Sequence, residues 1–591
     1  MSILRRWVAL MLGLLLTLGL PGCSLSAFKQ ETARVPEYIT SILSEPKTFN
    51  FTQSQESPNI FGLTYEGLVD QNPLTSEFEP ALAESWQVSA DKLNITFTLR
   101  PDLKWSDGQP LTVDDVLFTY NDVYLNEAVP TDARDILRMG EDGALPILKK
   151  IDQRRVQFTV PEPFAPFLSN TSLPILPAHA LRELVTTKDQ QGKLKFIAAW
   201  GVDTPVEQII VNGAYKLDRF ETGQRVIFRR NPYYWRYQTP TAAQGNIERI
   251  VWQVVESTDT ALLQFRSGGS DSEAVSPENF SLLKREAQQR NFTIYEGGPA
   301  SGTSFLFFNL NQGRRNNQPL VDPIKSRWFN NVKFRQAVAY AIDRQTMLNN
   351  TYQGLGTLQN SPISVQSPYY ASPEEGIKVY DYDPQRARQL LQSAGFKYNA
   401  KQELEDAEGN RVRFTLMTNA GNKVREALGA QVQRDLATLG IQVDYTPIAF
   451  STLVDKLSES LTWDCTLLGL TGGVEPNGGA NVWNPEGGLH MFNQKPGPQS
   501  APIQGHVISD WERAIGDLYV QGARELDEAQ RQEIYAKTQQ IAQEQLPFIY
   551  LINALSLAAV RNDIEGVQFS ALGGVTWNIH DLKNVNAALQ E

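Results

Sequence analysis

Cysteine and histidine are almost missing from this chain, with two and four copies in 591 residues. Only Cys465 lies away from the amino-terminal segment that holds Cys23, so no disulfide framework is expected and apolar cores must hold the fold. The histidines, His179, His490, His506 and His580, are too widely spaced for a His-x-Glu or His-Glu-x-x-His metal cluster. Basic charge is also short, at 54 lysines and arginines against 66 acids, a net charge of −12 that argues against binding nucleic acid or anionic lipid. The chemistry-bearing motifs of common enzymes are absent: no Gly-x-Ser-x-Gly elbow and no Gly-x-x-x-x-Gly-Lys-Ser/Thr loop occurs. Gly354-Leu355-Gly356 lacks a third glycine and precedes no predicted helix, and Asp114-Asp115 reads as a helix start rather than a catalytic carboxylate pair.

What is present begins with Arg5, Arg6 and an uncharged run over residues 7–20. Its length suits the apolar region of a signal peptide and falls short of the roughly 20 residues a membrane-spanning helix needs. The following Leu20-Pro21-Gly22-Cys23 resembles the lipobox of bacterial lipoproteins, which implies cleavage after residue 22 and lipid on Cys23. Residues 23–591 then carry 52 basic and 66 acidic side chains, and 23–36 reads as a polar tether.

The body mixes two periodicities. Residues 93–99 (LNITFTL) alternate as a half-buried strand, and 211–235 predict a hairpin turning at Thr222-Gly223. A strand over 250–255 is followed by a helix over 259–265, and FLFFNL at 305–310 suits a buried central strand. Residues 80–86 (PALAESW) predict a short helix, and Thr112 predicts the N-cap of another. Apolar spacing over 331–347 predicts one amphipathic helix, and Asp383-Pro384 opens a second that Gly395 closes. Strand, helix and strand then follow at 414–417, 423–439 and 441–445, an alternation that predicts α/β lobes.

Six blocks in order resemble the extracellular solute-binding proteins, family 5, of peptide and nickel ABC importers. They are the run over 80–120, NGAYKL with RNPYYW at 212–235, FNL at 308–310, VKFRQAVAYAIDR at 332–344, YDPQRARQLLQSAGF at 382–396 and IYAKTQQIAQEQLPFIYL at 534–551. The resemblance spans nearly all of the mature chain, with an insert-like stretch at about 132–150. It implies a two-lobed α/β fold like periplasmic binding proteins of the type II, large peptide-binding class, with an extra small domain. Residues 37–55, 191–305 and 556–591 would build the sheet domain of lobe I, 56–190 the small domain, and 306–555 lobe II. It further implies a non-enzymatic monomer without cofactor or nucleic-acid partner, delivering oligopeptides to permease subunits and tied to the membrane by its lipid.

Ligand groups in this family lie between the lobes, which points here to Tyr65, Glu66 and Gly67, to Asn212 and Gly213, and to the loop after 465–470. In peptide-binding members an aspartate four residues before a proline pairs with the peptide ammonium; this chain has Gly472 there, in Gly472-Gly473-Val474-Glu475-Pro476. Either Glu475 supplies the carboxylate from a shifted position, or the ligand has no free amino terminus. Gly473 leaves backbone open to a ligand, Trp483 offers a stacking face, and His490 is the one imidazole near the same rim. An opine, an oligosaccharide or a metal chelate stays open as cargo, as do a secreted hydrolase and a peptide-binding folding helper.

Overall fold

Three sheets carry the architecture of the computed structural model, which describes residues 35–53, 59–131, 133–140, 142–238, 247–496 and 501–588. The predicted signal segment, Cys23 and the tether as far as residue 34 lie outside the described residues. The largest sheet has eight strands and runs Phe292–Pro299, Ile552–Arg561, Ser272–Ala274, Glu37–Ile42, Arg249–Val254, Arg225–Arg230 and Tyr215–Glu221, with Gly356–Leu358 added to Ile552–Arg561. Glu37–Ile42 pairs in parallel with both of its neighbours, so the start of the folded chain is locked between segments more than 200 residues later.

A four-stranded antiparallel sheet follows the order Ala83–Val88, Asn94–Leu99, Arg155–Thr159 and Ile147–Lys150. The first of these corrects the helix predicted over 80–86. Trp86 lies opposite Phe97 and Val88 opposite Ile95, so cross-strand pairing overrides a local preference for helix that is weak at this length. The insert-like stretch contributes the fourth strand and is thereby part of this sheet. Thr112 does cap the helix Val113–Leu117, accepting from Asp114 N, while Asp115 returns a bond to Thr112 N at 2.8 Å. The hairpin and the strand at 94–99 form where the alternation placed them.

The third sheet has the order Gln442–Ile448, Arg413–Asn419, Cys465–Leu470, Thr303–Phe308 and Ile549–Tyr550. Thr303–Phe308 is hydrogen-bonded on both sides, and Phe305 to Phe308 are buried, as the continuous apolar run requires. Around it Phe548 packs 4.4 Å from Phe305, 5.2 Å from Phe492 and 5.7 Å from Trp483 between ring centroids. Each such aromatic pair adds about 1 kcal/mol beyond the area it buries. The single helix predicted over 331–347 is two, Val332–Ala341 and Arg344–Asn350. Ile342 turns extended at ψ 117°, and the Asp343 carboxylate accepts from Thr346 N at 2.9 Å, starting a new helix where the old one stops. The break lets the buried Arg344 guanidinium reach Gln359 O at 2.6 Å and Tyr380 O at 3.1 Å.

The chain passes directly from a strand of one large sheet to a strand of the other at two places, residues 300–302 and residue 551, and it visits the eight-stranded sheet once more through Gly356–Leu358. Two large apolar cores result, one centred on the first two sheets and one on the third, and a smaller cluster packs Phe265 and Leu283 against Phe292 and Ala559 of the eight-stranded sheet. Among the described residues, no helix is long and apolar enough to cross a membrane.

Two carboxylates of the large sheet's third strand and its approach titrate high. Burial pushes Glu273 up to about 7 and Asp271 up to about 6, the latter despite a hydrogen bond from Ile39 N. An acid whose folded value is raised lends stability that is full below its ordinary value and is lost as the pH rises to the folded one, from 4.5 to about 7 for Glu273 and from 3.8 to about 6 for Asp271. Unfolding midpoints should therefore rise as the pH falls from 8 to 5. Glu273→Gln should abolish the slope between pH 6 and 7 and make it shallower between pH 5 and 6, where Asp271 still contributes, measured by thermal melts across the range.

Candidate functional site

A cavity of about 510 Å³ opens where the carboxyl end of Cys465–Leu470 meets the small domain. Open α/β sheets place ligands at such strand ends, because connecting loops there leave backbone groups unpaired. The third sheet contributes Thr303, Phe305 and Tyr550, helix Asp510–Arg524 contributes Tyr519, and the small domain closes over with Gln71, Asn170 and Ser172. Beyond the cavity the two lobes touch: Ala165 N donates to Ala523 O at 2.7 Å, and Arg524 pairs with Glu162 at 2.7 Å.

The loop 471–479 forms most of one wall. Gly472 lies against the first crossing between lobes, where Ser301 Oγ donates to Gly472 O at 2.9 Å. A Cβ on Gly472 would stand 2.1 Å from Ser301 O, so no side chain fits at this position as the loop stands. Gly473 is different, with nothing within 4 Å of an added Cβ. Val474 is tied down through its carbonyl, which accepts from Ser367 Oγ at 2.5 Å.

Glu475 lines the cavity, yet its carboxylate faces away to Arg531. Arg531 Nη2 donates to Oε1 at 2.6 Å and Nη1 to Oε2 at 2.9 Å, a bidentate pair, and Asn477 N donates to Oε1 at 2.9 Å. The guanidinium side chain is only 5% exposed, lies 4.7 Å over the Tyr369 ring and donates to Gly522 O and Tyr369 OH. Burial works to lower its affinity for a proton, but Glu475 outweighs burial and holds Arg531 well above the usual arginine value. Both acceptor oxygens of Glu475 are thus committed before any ligand arrives.

Trp483 lines the cavity while stacked on Tyr519, at 6.3 Å and 17° between planes. His490 lies behind the wall, fully buried, with Nδ1 2.9 Å from Val482 O and Nε2 3.0 Å from Glu512 Oε2. Both ring nitrogens are held at hydrogen-bond distance from protein oxygens, so neither is turned toward the cavity. Burial works against the Glu512 charge, but donors from His490, Asn493 and Ser509 prevail and bring its carboxyl below the usual range. Among the described residues no group of three or more His, Cys, Asp or Glu side chains is placed to hold a metal ion.

The remaining predicted residues lie together elsewhere, at the seam between the small domain and the large sheet. Asn212 Oδ1 accepts from Glu66 N at 2.7 Å, Tyr65 OH donates to Ile210 O at 2.8 Å, and Gly213 N donates to Thr64 O at 2.8 Å. The Glu66 carboxylate accepts from Trp235 Nε1 at 2.6 Å and from Tyr234 OH; burial raises its pKa against these bonds and nearby Arg236. A Cβ on Gly67 or Gly213 would stand 2.5 Å from the backbone of Ser172 or Thr64. Tyr65, Glu66, Gly67, Asn212 and Gly213 lie outside the cavity lining and bind the seam. Gly67 nonetheless sets the position of Ser172, which does line it. Sequence reasoning missed Asn170, Ser172, Ser301, Thr303 and Tyr519 because single hydroxyl, amide and phenol side chains inside apolar elements carry no local signal.

Comparison with known proteins agrees with this architecture. The profile of bacterial extracellular solute-binding proteins, family 5 Middle, matches residues 77–493. A probable ABC transporter-binding protein of Deinococcus radiodurans is 30% identical over 540 residues, covering 86% of this chain and 85% of that protein. Among solved structures, the oligopeptide-binding protein AppA from Bacillus subtilis with a nonapeptide superimposes at a TM-score of 0.73 with 21% identity, covering 93% and 99% of the two chains. A periplasmic binding protein from Agrobacterium fabrum in complex with stachyose superimposes at 0.74 with 21% identity, covering 93% and 85%. With the profile spanning well over half of its length, the chain belongs to family 5 of the bacterial extracellular solute-binding proteins, the two-lobed binding components of ABC transporters.

Proposed function

We propose that this protein captures an oligopeptide between its lobes outside the cytoplasm and hands it to the permease of an ABC importer, without chemical change. The cavity between the lobes carries the reading, because the loop 471–479 leaves Gly473, Gly478 and Gly479 open to close approach by an extended chain. Main-chain hydrogen bonds made there would tolerate varied ligand side chains. The two jaws are 37–55 with 191–305 and 556–591, extended by the small domain 56–190, and 306–555. Residues 300–302 and 551 act as the hinge, and a ligand that binds the closed form better shifts the population toward it. The chain works as a monomer, cleaved after residue 22 and held at the membrane by lipid on Cys23.

A second reading, an uncharged non-peptide solute such as an oligosaccharide, is favoured by one observation: Glu475 is already paired with Arg531. Two experiments separate these readings. Residues 24–591 produced without lipid, purified and denatured, should release a ladder of short peptides detectable by mass spectrometry; one single non-peptide compound would remove peptides as the cargo. Glu475→Gln should act on folding rather than on recognition, because it strips a buried guanidinium of its counter-charge at a cost of about 2–4 kcal/mol. A lowered unfolding midpoint with ligand affinity within about twofold is the expected pair of results. A tenfold affinity loss at unchanged stability would return Glu475 to the role of ammonium partner.

A further inference from the structure

The described residues that line the cavity present almost no charge to a ligand. Glu475 is the only lysine, arginine, histidine, aspartate or glutamate among them, and its charge is cancelled by a bidentate arginine. The other polar groups are amides and hydroxyls, such as Gln71, Asn170, Thr303, Ser364, Asn477 and Asn481. The two tyrosines of the lining, Tyr519 and Tyr550, are pushed well above the usual phenol value by burial and stay neutral. Position 472 is closed to any side chain as the loop stands, since a Cβ on Gly472 would meet Ser301 O, so no carboxylate can enter the wall there.

An ionised group taken out of water into such a wall would find no opposite charge, and a buried charge without a partner is strongly disfavoured. Amides, hydroxyls and aromatic faces are instead the partners that neutral hydrogen-bonding solutes need. We infer that the cavity selects a solute whose buried part is uncharged and rich in hydrogen-bonding groups, and that it does not recognise an ionised peptide terminus. The inference rests on the solute-receptor reading above and narrows its cargo. A peptide fits it only through its amide groups, with both termini blocked or outside the cavity. An uncharged oligosaccharide fits it without that condition.

Gly473 makes the inference testable by gain of function, because a side chain there enters open space beside the cavity wall. Cargo-free residues 24–591, wild type and Gly473→Asp, are titrated by calorimetry with trialanine, with N-acetyl-trialanine amide and with stachyose. Wild type should bind the capped tripeptide or the tetrasaccharide at least about tenfold more tightly than free trialanine. Gly473→Asp should erase or reverse the preference between the two peptides. Equal or tighter binding of free trialanine by wild type overturns the inference. Where none of the three probes binds, the cargo released on denaturation decides: an uncharged compound or a peptide with blocked termini supports the inference, and a dipeptide or tripeptide with free termini overturns it. No cargo and no binding counts against the receptor reading itself, and the inference falls with it.

Discussion

The close approach of Gly472 to Ser301 is the constraint on which the binding region depends. Residues 300–302 carry the chain from one lobe to the other, and the loop that walls the cavity rests directly on that crossing, backbone against backbone. Contact this tight excludes a side chain at 472, so the loop cannot carry an aspartate there unless the crossing moves. Wall and hinge are therefore one unit. Any change in the angle between the lobes must be felt by the loop, and under the proposed function this couples a ligand in the cavity to lobe closure.

With Gly472 fixed, the rest of the loop is positioned by a second contact of different character. Arg531 draws Glu475 away from the cavity, while Tyr369, Tyr535 and the Gly522 carbonyl surround the guanidinium. A pair of this kind contributes little net stability compared with apolar residues of the same size, but it is costly to break on one side only. Its effect on the cavity is electrostatic: it leaves a wall of amides, hydroxyls and aromatic rings with no free charge. Solved structures of this fold hold a nonapeptide, a nickel complex and stachyose, and under the inference above the charge content of one loop, rather than the fold, narrows the choice here.

The seam formed by Glu66, Asn212, Tyr234 and Trp235 does the corresponding work on the other lobe. It fixes the small domain against the large sheet, so that Gln71 and Ser172 reach the cavity from a rigid base. The polar residues of the two blocks that suggested ligand contacts are hydrogen-bonded within this seam, satisfying buried backbone groups that would otherwise be left without partners.

The sequence by itself determined the family, through six blocks in order, and it determined those elements whose signals are local. The hairpin at Thr222-Gly223, the alternating strand at 94–99, the caps at Thr112 and Asp383 and the stop at Gly395 need only neighbouring residues to form. Tertiary structure decided what depends on distant partners. Residues 83–88 became a strand because Asn94–Leu99 offered its edge, and the helix over 331–347 broke because Arg344 found carbonyls at 359 and 380. The site followed the same division. Glycines at 472 and 473 are plain in the sequence, but that one is sterically closed and the other open, and that Glu475 is matched by an arginine 56 residues away, are properties of packing between segments that no local pattern encodes.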